Sequence, residues 1–185
     1  EAGKPSRWAF GGVPADKAIK GFGGAVLFSM APELTMRELE HILGMERIGE
    51  DKGLVRFRAP GEIGNLIDVD TTVTDRGRGG CGTIHHIAWR AKDGEEQERW
   101  RERVAKAGFQ PTPIVDRNYF TSVYFRERGG ILFEIATDPP GFLRDEPFET
   151  LGEKLMLPPW FEPYREQIVR ALPPFEIRVL KEDRT

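Results

Sequence analysis

The sequence predicts an α+β protein built from two βαβββ units. Three observations carry this. The order strand, helix, strands occurs twice, at a spacing of about 60 residues. A glycine, Gly44 and then Gly108, ends the helix of each unit. The runs "LIDVDT" and "LFEIAT" stand at matching places near the ends of the two units, so that Asp68 corresponds to Glu134 and Ala25 roughly to His86.

Residues 1–20, rich in Gly, Pro and Lys, read as a linker. The first unit is placed at 21–75. It opens with a β-like run from Phe22 to Ser29. A helix follows, with Thr35 and Glu38 at capping-box spacing and Leu34, Leu39, Ile42 and Leu43 as apolar positions. Gly53–Pro60 alternates like a strand, and Gly64–Val73 reads as another. A charged, glycine-rich connector, Thr74–Gly82, leads to the second unit at 82–140. There the expectation is a strand over Thr83–Arg90, a helix over Gly94–Lys106, and strands near Thr112–Arg117, Phe120–Arg126 and Ile131–Ala136. Gly129–Gly130 forms the turn between the last two. Residues 141–185 form a C-terminal extension whose amphipathic stretch, Trp160–Leu172, is expected to be a covering helix.

Composition narrows the function. The 185 residues are 39% hydrophobic and 31% charged, with a net charge of −3, which gives no nucleic-acid footprint. The single cysteine, Cys81, precludes an intrachain disulfide and fits a reducing, cytoplasmic compartment. No apolar run approaches the ~20 residues of a membrane span. The polar start "EAGKPSR" does not read as a signal peptide. It also lacks an initiating Met, so the chain reads as processed or as a piece of a longer protein.

The chemistry centres on "GTIHHIAWR", Gly82–Arg90. In a strand, His86 shares a face with Ile84, Ala88 and Arg90, and His85 takes the other. Glu134 shares a face with Leu132 and Ala136, between the apolar Phe133 and Ile135. A carboxylate so placed needs a partner, because burying an unpaired charge is costly. One imidazole and one carboxylate suit a first-row divalent ion, and a second His would complete the facial triad of Fe(II) oxygenases. Spacing alone leaves a second reading open, a satisfied histidine beside a solvated strand carboxylate.

The repeated unit, "IHHIAWR" at its opening and "SVYFRERGGILFEIATDPPGF" at its close resemble the vicinal oxygen chelate superfamily. Within it, the chain resembles the ring-cleaving extradiol dioxygenases of the hydroquinone type. Tyr124 stands ten residues before Glu134, as the catalytic Tyr and ligand Glu do in those enzymes. The match is densest over Gly82–Phe142 and extends through "LGEKLMLPPWFEPYREQI"; residues 20–73 match only as a degenerate unit.

The resemblance implies mixed, mostly antiparallel sheets curved into a cup. It implies Fe(II), with Mn(II) as the alternative ion, and O2 as co-substrate of a small aromatic compound. His86 and Glu134 would ligate the metal. His85 would stand near the site, and Tyr124 would hydrogen-bond the substrate oxygen. Arg117 would place a cation beside the aromatic ring. Against these stand plainer roles: a surface histidine, a core tyrosine and a loop ion-pair partner.

The third ligand is missing. The only other histidine, His41, falls on a polar helix edge, and Ala25 stands where the first unit would offer a ligand. Asp68 is a conceivable substitute. Hydroquinone-type enzymes have four units, so the chain reads as a C-terminal half. An N-terminal half, or a second chain, would bring the third ligand. That half would also pair with the second unit here, and a homo-oligomer is expected. His86 is expected to face the cup and meet Glu134. His85 would lie across the strand and reach the site only through a bulge or a strand end. Two alternatives share the fold: a metal-dependent glyoxalase or thiol transferase, and a non-catalytic small-molecule-binding module.

Overall fold

Strand β1, Gly24–Phe28, sets the pattern for the first sheet. Leu27 turns inward, while Val26 and Phe28 are exposed on the opposite face. The computed structural model describes residues 13–174. The first twelve residues of the expected linker and residues 175–185 of the expected extension lie outside the described residues.

Helix α1, Pro32–His41, starts at a proline, whose missing N–H costs nothing in the first turn. Strands β2 (Glu46–Asp51), β3 (Leu54–Arg58) and β4 (Leu66–Asp70) complete a four-stranded sheet of order β1-β4-β3-β2, with β1 and β4 parallel. The second unit repeats this. β5 (Ile87–Ala91), helix α2 (Gly94–Lys106), β6 (Val115–Asp116), β7 (Thr121–Arg126) and β8 (Leu132–Thr137) give a sheet of order β5-β8-β7-β6, with β5 and β8 parallel. The protein is α+β with two separate mixed sheets. Asp93 caps α2, its carboxylate accepting from the Glu96 N–H at 2.8 Å.

Each sheet buries one face. Val55, Phe57, Ile67 and Val69 of the first sheet join Phe125, Phe133 and Ile135 of the second in one apolar cluster, with Leu39 of α1 and Val104 of α2. Gln97 of α2 is fully buried among them. Its amide donates to the carbonyls of Thr121 (2.8 Å) and Ile135 (2.7 Å) and fastens α2 to β7 and β8.

Several expectations are corrected. Thr35 and Glu38 do not cap α1. Ala31 occupies the cap without a side-chain bond, and both residues lie buried inside the helix. Strand β2 carries four charged residues in six, a polar edge strand that no apolar alternation announces. β5 begins only at Ile87, so the histidine pair precedes it. The tail segment is helical only over α3, Arg165–Ala171, after a 3-10 turn at Glu162–Tyr164 that contains a proline. Two compact units are present. One is Gly24–Lys154; the other comprises the described residues before and after it in the chain. Among the described residues, no helix is long and apolar enough to cross a membrane.

A buried polar seam joins the two repeats of the 24–154 unit. Glu127, in the turn between β7 and β8, is 2% exposed and accepts from the Thr35 hydroxyl (2.6 Å), the Gly129 N–H (2.7 Å) and the Ile131 N–H (2.6 Å). Thr35 accepts in turn from Ser29 at 2.7 Å. Beside them, Arg128 donates to Glu38 at 2.8 Å. A Cβ on Gly129 would sit 1.8 Å from the Ser29 oxygen, so only glycine fits that turn. Burial pushes the Glu38 carboxyl above its ordinary 4.5, against the pull of Arg128.

Two outcomes follow from the seam. Thr35→Val keeps the shape and removes the donor to Glu127; urea unfolding should show a loss of about 1–3 kcal/mol. Glu38 has a raised folded pKa, so its contribution is complete below 4.5 and is lost as pH rises through the raised value. Glu38→Gln should therefore gain on the wild type as unfolding is measured from pH 4 to pH 7. A gap that widens against Gln over that range contradicts the seam's charge balance.

Candidate functional site

Glu134 lies at the centre of the second sheet. Its strand neighbours Phe133 and Ile135 face the core, so its carboxylate points to the opposite face. Register places Tyr124 of β7 directly across from it and Ala88 of β5 beside it. The side chain is nonetheless buried, at 2% exposed.

Three groups satisfy the carboxylate. Oε1 accepts from the Tyr124 hydroxyl at 2.9 Å and from the hydroxyl of Ser122, two residues earlier on the same face of β7. Oε2 meets His86 Nε2 at 2.7 Å. Hydrogen bonds to a charged group contribute about 1.5–3 kcal/mol each, enough to hold a carboxylate in this position.

His86 is half-buried and His85 exposed, and the two are not on opposite faces. Their Nδ1 atoms lie 2.9 Å apart, with the rings edge to face. The alternation rule does not reach them because the ladder starts one residue later, at Ile87. The strand end therefore brings His85 beside the site. With Nε2 directed at a carboxylate, a neutral His86 carries its proton there. Nδ1 then accepts from His85.

Arg117 completes the group. Its Nε and Nη2 donate to the Tyr124 oxygen at 3.2 and 3.1 Å, and its guanidinium carbon is 5.3 Å from the Tyr124 ring centre. The residue is a partner of Tyr124, and Tyr124 is neither a plain core tyrosine nor isolated. All five expected site residues thus form one connected set. Ser122 is the member sequence reasoning missed. Its position two residues before Tyr124 on a strand was the available signal.

The donor atoms fit a metal ion. Ligands at about 2.0–2.2 Å and near a right angle lie roughly 3 Å apart, close to the 2.7 Å between Nε2 and Oε2. Among the described residues no group of three His, Cys, Asp or Glu side chains converges. His41 is exposed on α1.

The first sheet holds the same frame with different chemistry. Val26 pairs with Asp68 as Ala88 pairs with Glu134, and Arg56 lies across from Asp68 as Tyr124 does from Glu134. The equivalent of His86 is therefore Gly24, one residue from the expected Ala25. A Cβ on Gly24 would lie 2.0 Å from the Leu66 carbonyl oxygen, so no ligand side chain fits. Asp68 is taken by Arg56, whose Nε and Nη2 reach its two oxygens at 2.7 Å each.

Fold and site together define a protein of two βαβββ repeats, one of which carries a histidine–carboxylate pair at a strand end. Residues 26–135 match the model of the Glyoxalase/Bleomycin resistance protein/Dioxygenase superfamily, and the chain belongs to that family. It is 56% identical to "Putative ring-cleaving dioxygenase MhqO" of Bacillus subtilis (strain 168), over 97% of this chain and 58% of that protein. It is 28% identical to "Chlorohydroquinone/hydroquinone 1,2-dioxygenase" of Sphingobium indicum, over 86% of this chain and 51% of that protein. A crystal structure of a "putative dioxygenase" from Bacillus subtilis superposes with a TM-score of 0.92 at 56% identity, covering 96% of this chain and 57% of that one. The chain spans about half the length of the curated relatives it matches.

The close approach at Gly24 carries a stability prediction. Gly24→Ala forces β1 away from β4 and should cost about 1–3 kcal/mol in urea unfolding. An unchanged midpoint contradicts the assigned register.

Proposed function

We propose that the intact protein carrying this chain is an Fe(II)-dependent dioxygenase that opens the ring of a hydroquinone or catechol with O2. The observation that carries the reading is the His86–Glu134 pair with Tyr124 and Arg117 beside it. The relative named for hydroquinone ring cleavage supports the substrate class. Mn(II) is the alternative ion. The third ligand would come from an N-terminal half or a second chain, docked on the open face of the second sheet. A homo-oligomer working in the cytoplasm is part of the same reading.

His86 Nε2 and Glu134 Oε2 would hold the metal. When bound, Fe(II) supplies adjacent positions at which a phenolic oxygen and O2 are activated together. The protein's own residues do the rest. Glu134 and His86 would bring one negative charge to the cation, on the face of the sheet opposite the core-facing Phe133 and Ile135. Tyr124, held by Arg117, presents its hydroxyl where a ring oxygen would lie and exchanges a proton with it. Arg117 favours negative charge on that oxygen. His85, exposed and in contact with His86, links the site to solvent for proton exchange.

The first sheet argues against a glyoxalase or thiol transferase, which takes two ligands from each of two units. Gly24 and the paired Asp68 supply none. A metal-free binding module gives no role to a buried carboxylate shared by Tyr124 and His86.

Oxygen uptake by the intact protein, loaded with Fe(II) without air, tests the reading. Uptake should accompany ring opening of a hydroquinone or catechol, and Tyr124→Phe should lower kcat by about 10²–10⁴ while iron stays bound. Loaded protein that consumes no O2 with either ring contradicts it.

A further inference from the structure

We propose that Ser122 is a positioning residue that makes Glu134 a ligand through one oxygen only. The inference rests on the metal reading above and concerns how this chain presents its carboxylate.

Ser122 is fully buried, on the same face of β7 as Tyr124. Both hydroxyls donate to Oε1 of Glu134. A carboxylate oxygen has two acceptor directions, so the two donors fill Oε1. Oε2 is the oxygen left facing His86. Chelation by both oxygens would require one hydroxyl to leave, and Ser122 has little room to move inside a strand.

The first sheet shows the carboxylate in the other arrangement. Register places Leu54 where Ser122 stands and Arg56 where Tyr124 stands. There the guanidinium fork of Arg56 takes both oxygens of Asp68, at 2.7 Å each. In the second sheet Ser122 and Tyr124 share Oε1 and leave Oε2 to His86. Partners that orient a ligating carboxylate typically change metal affinity or activity by about 10–100-fold when removed.

The test uses Co(II) bound to the intact protein, whose visible absorption reports the number of donor atoms. Ser122→Ala should weaken Co(II) binding by about 10-fold and reduce the absorption as the second carboxylate oxygen enters. Ser122→Thr, which keeps the hydroxyl, should follow the wild type. Tyr124→Phe, which removes the other donor to Oε1, should shift the spectrum in the same direction as Ser122→Ala. Unchanged affinity and spectrum in Ser122→Ala overturn the proposal, as does weaker binding with an unchanged spectrum. Wild-type protein that binds no Co(II) sensitive to His86→Ala overturns the metal reading itself, and this inference with it.

Discussion

A carboxylate at the centre of a sheet, between two core-facing apolar residues, is the constraint from which the site follows. Glu134 is 2% exposed, and an ionised group so placed is stable only with several partners. Sheet geometry decides where they come from. The antiparallel neighbour offers the residue directly across, Tyr124, and the diagonal one, Ser122. The parallel neighbour has Ala88 alongside and gives His86 two residues earlier, at the strand's open end. Arg117 is the outermost member, acting through the Tyr124 oxygen. The site is a chain of dependencies with the carboxylate at its root.

The same backbone, used twice, separates what the fold imposes from what side chains choose. Both sheets put an acid on their last strand with a polar residue across from it. In the first, arginine answers aspartate and the frame closes into a structural ion pair. In the second, two neutral hydroxyls and an imidazole answer glutamate. No arginine or lysine bonds it directly, and that difference is what the proposed metal reading rests on. The buried seam at Glu127 ties the turn that joins β7 and β8 to Thr35 of α1, so the strands that hold Tyr124 and Glu134 are fastened at that end to the first repeat.

Much of this was legible in the sequence because it rests on local rules. The bounds of α2 and a turn at the glycine pair follow from periodicity and turn chemistry. A two-residue turn at Gly129–Gly130 would set Phe125 opposite Glu134; the loop is instead Arg128–Gly130, closed by the Glu127 N–H on the Ile131 carbonyl, and this one-residue shift brings Tyr124 there. The misreadings have tertiary causes. Thr35 and Glu38 match a capping pattern, but their side chains bond Glu127 and Arg128, about 90 residues away in the chain. The equivalence of Gly24 to His86 depends on a register that only strand pairing sets. Strand β2 is held by pairing to β3, and its charged residues give no periodic signal. Ser122 looks like any strand serine until the acid beside it is known to be buried.

Anomalous diffraction at the iron edge, from crystals of the intact protein grown without air, addresses the central claim most directly. The account predicts a single strong peak within about 2.2 Å of both His86 Nε2 and Glu134 Oε2. It also predicts a third protein ligand from outside this chain. Iron seated elsewhere, or held at this site without Glu134, contradicts the account.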